Sequence, residues 1–147
     1  MMPYSVPAKL DPELARVRAY WEGLKRGEAD MPFGDDVNLS ALPDLSGRLM
    51  LIEVTGKPVR FRLGMVGDEI KMRHGGGLVG KFLDELESHR WLEYLHSQCS
   101  ATVESRAPTY YRYDAGKGDP ADRYSRLILP MWGNGRIGSL LGAVAWG

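Results

Sequence analysis

The sequence predicts an α+β domain: a five-stranded antiparallel sheet with helices on one face and a further helix at the N-terminus. Three observations lead there. First, residues 49–54 and 59–65 are apolar-rich runs joined by the turn Thr55-Gly56-Lys57-Pro58. The second run alternates, with Val59, Phe61, Leu63 and Met65 apolar and Arg60, Arg62 and Gly64 not. Period two marks a half-buried strand, and two strands around a short Gly/Pro turn make a hairpin. Second, three more strand-like runs close the chain, the last two joined by Gly133-Asn134-Gly135. Asn-Gly tolerates the positive φ of a type I′ turn, which makes this the strongest hairpin signal in the sequence. Third, the helical signals lie between these two groups of strands.

Length and charge bound what such a domain does. A chain of 147 residues favours one domain. At that size about 68–70% of the unfolded surface is buried, enough for a core without staples. Lys+Arg and Asp+Glu both number 19, so the formal net charge is zero. That argues against a nucleic-acid partner, which needs clustered positive charge. The single cysteine, Cys99, excludes an internal disulfide. Met1-Met2-Pro3-Tyr4-Ser5 lacks the basic and apolar regions of a signal peptide, and no apolar run approaches the roughly 20 residues that span a bilayer. A soluble cytoplasmic protein without membrane attachment is expected.

Residues 1–46 read as an N-terminal helix followed by a crossover linker, and 47–147 as the main domain. Asp11-Pro12-Glu13 starts a helix: Asp as N-cap, Pro at the first helical position, an acid in the first turn. Leu14, Val17, Trp21 and Leu24 form a seam on one face of residues 11–26, ended by Gly27. The seam serves equally for packing on the chain's own domain or on a second copy, and a homodimer sharing this helix is expected. Pro32, Gly34, Pro43 and Ser46 mark the linker, and the Asp35-Asp36 pair within it reads as a solvated loop.

After the first hairpin a short helix is expected over 66–73, then a glycine cluster, then a helical turn over 82–86. Gly75-Gly76-Gly77-Leu78-Val79-Gly80 formally matches G-x-G-x-x-G. A dinucleotide site needs a strand directly before that motif and a long helix after it, and neither is expected here. The glycines read as a tight turn using positive φ. Ser88 caps a long helix predicted over 88–103, with Trp91, Leu92, Leu95, Cys99 and Val103 on its apolar face. His89, Glu93 and His96 fall at i, i+4 and i+7 beside that face. These are zinc-binding residue types, but no fourth ligand is evident and a solvated stripe is the commoner meaning. Neither metal, haem nor flavin is expected. Cys99 reads as a small core residue, since no base or positive neighbour in the sequence activates it.

The C-terminal strands are predicted over 109–114, 124–131 and 136–146. The first carries Tyr110, Tyr111 and Tyr113. In the second, Leu127, Leu129 and Met131 alternate with Arg126, Ile128 and Pro130. The last is apolar on both faces, so it is central in the sheet or lies under a helix. Trp146 is expected to meet the N-terminal helix.

This element order resembles a PAS domain over residues 14–146. More narrowly, the chain is similar to a family of small single-domain PAS-like bacterial proteins. The shared pattern is Tyr20-Trp21 with Leu24 and Gly27, Phe61-Arg62-Leu63-Gly64, Gly80 with Leu83-Asp84-Glu85-Leu86, and Leu127-Ile128-Leu129-Pro130-Met131. The sequence departs from many PAS domains after the second strand, at Met65 and the His74-Gly75-Gly76-Gly77 run. The resemblance implies a sensory or protein-interaction module without catalytic chemistry, signalling to another protein. It implies a small apolar or weakly acidic ligand between the sheet and the long helix. Carried onto this chain, the cavity would be lined by Phe61, Leu63, Leu83, Trp91, Leu95, Tyr111, Leu127, Leu129 and Leu141. The alternative is a small isomerase- or dehydratase-like enzyme on a cone-shaped α+β fold, using Tyr111, Tyr113 and Asp114 in an apolar cavity. Such folds place long helices before their strands, whereas here a hairpin separates the helices.

Overall fold

Helix α1 (Pro12–Gly23) begins where Asp11-Pro12-Glu13 places it, although the Asp11 side chain makes no cap bond. Its carboxylate accepts instead from the Tyr110 hydroxyl, at 3.5 Å. The helix closes at Leu24 and the left-handed Gly27 follows, so it stops short of the expected residue 26. The computed structural model describes residues 4–86, 90–113 and 123–146 of the chain.

Five strands follow: β1 (Leu49–Thr55), β2 (Arg60–Val66), β3 (Thr109–Tyr113), β4 (Tyr124–Gly133) and β5 (Arg136–Trp146). They form one antiparallel sheet in the order β2-β1-β5-β4-β3. The α+β class and the five-stranded antiparallel sheet are as expected. β5 is the central strand, one of the two places that its apolar faces allow. The turn between β4 and β5 has Asn134 at φ 54° and Gly135 at φ 76°, the backbone that Asn-Gly predicts.

Strand alternation divides the sheet into two faces. On the first lie Met50, Ile52, Phe61, Leu63, Tyr111, Arg126, Ile128, Leu140 and Val144, by register. Gly142 makes room there: a Cβ on it would stand 2.7 Å from Met50 Cε. This face is covered by α2 (Asp68–His74), 3₁₀ turns at Leu83–Glu85 and Arg90–Leu92, and α3 (Leu95–Ser105). On the second face lie Leu127, Leu129, Met131, Leu141 and Ala143. It is covered by α1, which packs on β4 and β5, and by the crossover segment, where Trp132 N–H donates to the Pro32 carbonyl at 2.8 Å.

The expected long helix over 88–103 is a correction. Residues 90–92 form one 3₁₀ turn, Tyr94 sits in the left-handed region at φ 59°, and only then does α3 begin. A left-handed residue cannot continue a right-handed helix, so the segment bends there. Trp146 is a second correction. It lies on the α3 side of the sheet, edge-on to Tyr124 with the Arg73 guanidinium 4.0 Å from its ring centroid. The contact expected for it is made by Trp21, whose indole N–H donates to the Pro130 carbonyl at 2.9 Å.

The glycine cluster is a turn. Gly75, Gly76 and Gly77 have φ of 99°, 98° and 74°, and Gly75 caps α2. A helix precedes the cluster, and among the described residues no long helix directly follows it, so the dinucleotide context is not met there. Asp36 is paired with Arg26 at 2.7 Å in the crossover.

Candidate functional site

β4 decides the site. Its apolar residues Leu127 and Leu129 face α1, so alternation turns Arg126 toward α3. Arg126 is fully buried. Its Nε donates to Gln98 Oε1 at 2.7 Å, Nη1 to the Trp91 carbonyl at 2.7 Å and Nη2 to the Glu93 carbonyl at 2.8 Å. The last carbonyls of a helical turn lack intrahelical partners, and a guanidinium suits them. The rings of Tyr111 and Tyr124 lie 5.1 and 5.7 Å from its Cζ. Among the described residues no carboxylate pairs with it.

Gln98 is fixed in return. Its Nε2 donates to the Arg126 carbonyl at 3.1 Å and to Thr109 Oγ1 at 3.2 Å. Thr102 and Thr109 share a hydroxyl bond at 2.6 Å. A chain of polar contacts thus crosses from β3 and β4 into α3, all of it buried.

Burial governs the titrations. It pulls the Arg126 guanidinium below the ordinary arginine value, against the neighbouring Tyr124, Cys99 and Tyr111. It raises Tyr111 and Tyr124, with the Glu93 charge adding to both and Arg126 opposing. It pushes the Cys99 thiol up to about 12, again opposed by Arg126. A thiol held so high is protonated at neutral pH and is no nucleophile.

The expected site residues divide between the two faces. Phe61, Leu63, Leu83, Trp91, Leu95 and Tyr111 lie on the α3 side. Phe61 meets His96 of α3 edge-on at 5.2 Å, and the Trp91 indole N–H donates to His74 Nδ1 at 3.0 Å. Leu127, Leu129 and Leu141 do not join them. They are buried on the opposite face, against α1, because each is one residue out of phase with Arg126 or Leu140. Sequence reasoning missed Arg126. The signal was present: on its own parity Arg126 shares a face with Ile128 and Pro130, so an apolar face carries one cation.

Leu14, Val17 and Trp21 are each 1% exposed within one chain, and Leu24 is half-buried. The seam is spent on the chain's own sheet. His89 lies outside the described residues, as does Asp114. Glu93 and His96 are exposed and lie on either side of the break at Tyr94, so no single helix carries the stripe. Among the described residues no three His, Cys, Asp or Glu side chains group as a metal site would require. Clefts among the described residues lie elsewhere. One of about 320 Å³ sits between the N-terminal segment and α3, lined by Tyr4, Val6, Ala101 and Pro108. One of about 270 Å³ lies on the outer face of the first hairpin, lined by Leu51, Glu53, Gly64 and Met65.

No family model matches the chain. No curated protein matches it. Among solved structures the chain is similar to the crystal structure of a sensory box sensor histidine kinase from Vibrio cholerae, with a TM-score of 0.49. The two are 17% identical over 72% of this chain and 86% of that one. A likeness at this level is one of outline and says nothing of a ligand or partner. Among the described residues no helix is long and apolar enough to cross a membrane.

Proposed function

We propose that this chain is a PAS-like cytoplasmic sensory module without catalytic chemistry, which holds a small organic ligand between the sheet and α3 and passes the effect to a protein partner. The observation that carries this reading is the Arg126 network. One buried side chain on β4 grips both α3, through Gln98, and the turn before it, through the carbonyls of Trp91 and Glu93. A ligand that alters that grip alters the position of surface residues such as Tyr94, which is 58% exposed. Phe61, Leu63, Leu83, Trp91 and Leu95 supply the apolar walls. A zero net charge fits a partner other than nucleic acid. A second copy of the chain is the simplest partner. Because Leu14, Val17 and Trp21 are buried in their own chain, its surface has to extend beyond the helical seam.

The test is native mass spectrometry of the purified protein, joined to a thermal-shift screen of small organic compounds. A retained mass or a raised Tm is expected, since a ligand that binds only the folded state stabilises it. Leu63→Phe adds bulk to a fully buried position and should abolish that rise while costing about 1–3 kcal/mol of stability. A bare mass with no compound raising Tm would end the ligand half of the reading.

A further inference from the structure

The α3 side of the sheet ends in two rows of side chains. Tyr113, Tyr124 and Trp146 stand abreast across β3, β4 and β5, and Tyr111 and Arg126 stand abreast in the next row. The rings are in contact: Tyr113 stacks on Tyr124 at 5.5 Å, and Trp146 meets Tyr124 edge-on at 6.0 Å. Two observations about this cluster are independent. Arg126 is a buried cation with no carboxylate partner among the described residues. The Trp146 indole N–H is buried and has no acceptor among them either. Arginine and tryptophan side chains are donors only. The Arg73 guanidinium over the Trp146 ring adds a second positive charge. Glu93 gives Arg126 its main-chain carbonyl, while its side chain is exposed.

Among the described residues, Arg126 and the Trp146 N–H stand between aromatic walls without an anionic acceptor, and the place suits one with an apolar body. We propose that this layer binds a small aromatic or aliphatic carboxylate, held by Arg126 and by the Trp146 N–H. The inference rests on the sensory reading above and names its ligand class. A carboxylate fits better than a phosphate, because its flat, singly charged head matches a guanidinium and leaves the apolar tail for the rings. Binding also has a route to a signal. Arg126 now holds one carbonyl on each terminal nitrogen, those of Trp91 and Glu93. A carboxylate offers two oxygens with a full charge, and charge-assisted bonds are the stronger. The exchange keeps the guanidinium satisfied and releases the turn that holds the left-handed Tyr94.

The experiment is calorimetric and thermal-shift titration with benzoate, phenylacetate and hexanoate, each against its neutral amide. Carboxylates should bind and the amides should not. Trp146→Phe keeps the ring and removes the N–H. It should weaken carboxylate binding about tenfold, while the ligand-free protein keeps or raises its Tm, because an unpaired buried donor is gone. Arg126→Met should abolish binding. Amides that bind as well as the acids, or carboxylate binding unchanged in both variants, would overturn the carboxylate site and leave a ligand-sensing module standing. Failure of all six compounds, with no retained mass on the native protein, would overturn both.

Discussion

At the scale of single residues, Gln98 matters as much as Arg126. Its amide accepts from the guanidinium and donates to the Arg126 carbonyl, so one side chain satisfies two groups of the same buried residue. Taking a charge out of water costs several kcal/mol, and the structure offsets that with carbonyl oxygens and tyrosine faces in place of a counter-ion. Gln98→Ala leaves the Nε–H and the carbonyl unpaired in the core. A loss of about 2–3 kcal/mol in urea unfolding is expected. A loss below about 0.5 kcal/mol would mean that the network contributes nothing net. Cys99 and Thr102 lie one and four residues further along the same helix and are buried with it.

At the scale of elements, α1 is a structural helix, because its seam already has a partner in β4 and β5. Val17 is 1% exposed, so Val17→Asp places an unpaired carboxylate inside the packed layer. The expected outcome is unfolding, or a loss of more than about 3 kcal/mol, read by circular dichroism and urea titration. Ala19→Asp on the exposed side of the same helix is the control and should change stability by less than about 0.5 kcal/mol. A folded Val17→Asp protein with altered self-association would return the seam to a dimer interface. The turn over 90–94 is an element of the opposite kind. It owes its shape to Arg126 drawing on two carbonyls, which is why local helix propensity fails to continue through Tyr94.

Across the whole molecule, ion pairs tie separate segments together, among them Arg16–Asp44 at 2.6 Å, Arg26–Asp36 at 2.7 Å and Arg60–Asp84 at 2.8 Å. In each of these, the hydrogen bond from the arginine holds the carboxylate below its ordinary range. A folded pKa below the unfolded one gives stability that is present above the unfolded value and is lost as pH falls through the folded value. The unfolded value for aspartate is about 3.9. Tm should therefore stay level from neutral pH down to about 4 and decline only below it. The pairs are exposed, so the decline is shallow, and high salt weakens their contribution. A fall in Tm that begins near pH 6 would overturn this account.

Local pattern determined most of the architecture. Alternation over 59–65, the Asn134-Gly135 turn and the Asp11-Pro12-Glu13 start each state a backbone preference that neighbours only reinforce, and the strands, hairpin and first helix stand where those signals put them. Alternation also says which residues of a strand share a face. It does not say which face meets which helix. In β4 both parities are apolar enough to be inward, and the leucines were the natural choice for a pocket. Tertiary packing chose otherwise: α1 needed an apolar floor and took Leu127, Leu129 and Leu141, which sent Arg126 into the layer beneath α3. The same packing decided the break at Tyr94, since the two main-chain carbonyls that Arg126 draws on come from residues more than thirty positions away in sequence. A hydrogen bond between such distant groups leaves no periodic trace, and only the folded chain brings the buried cation and its carbonyls together.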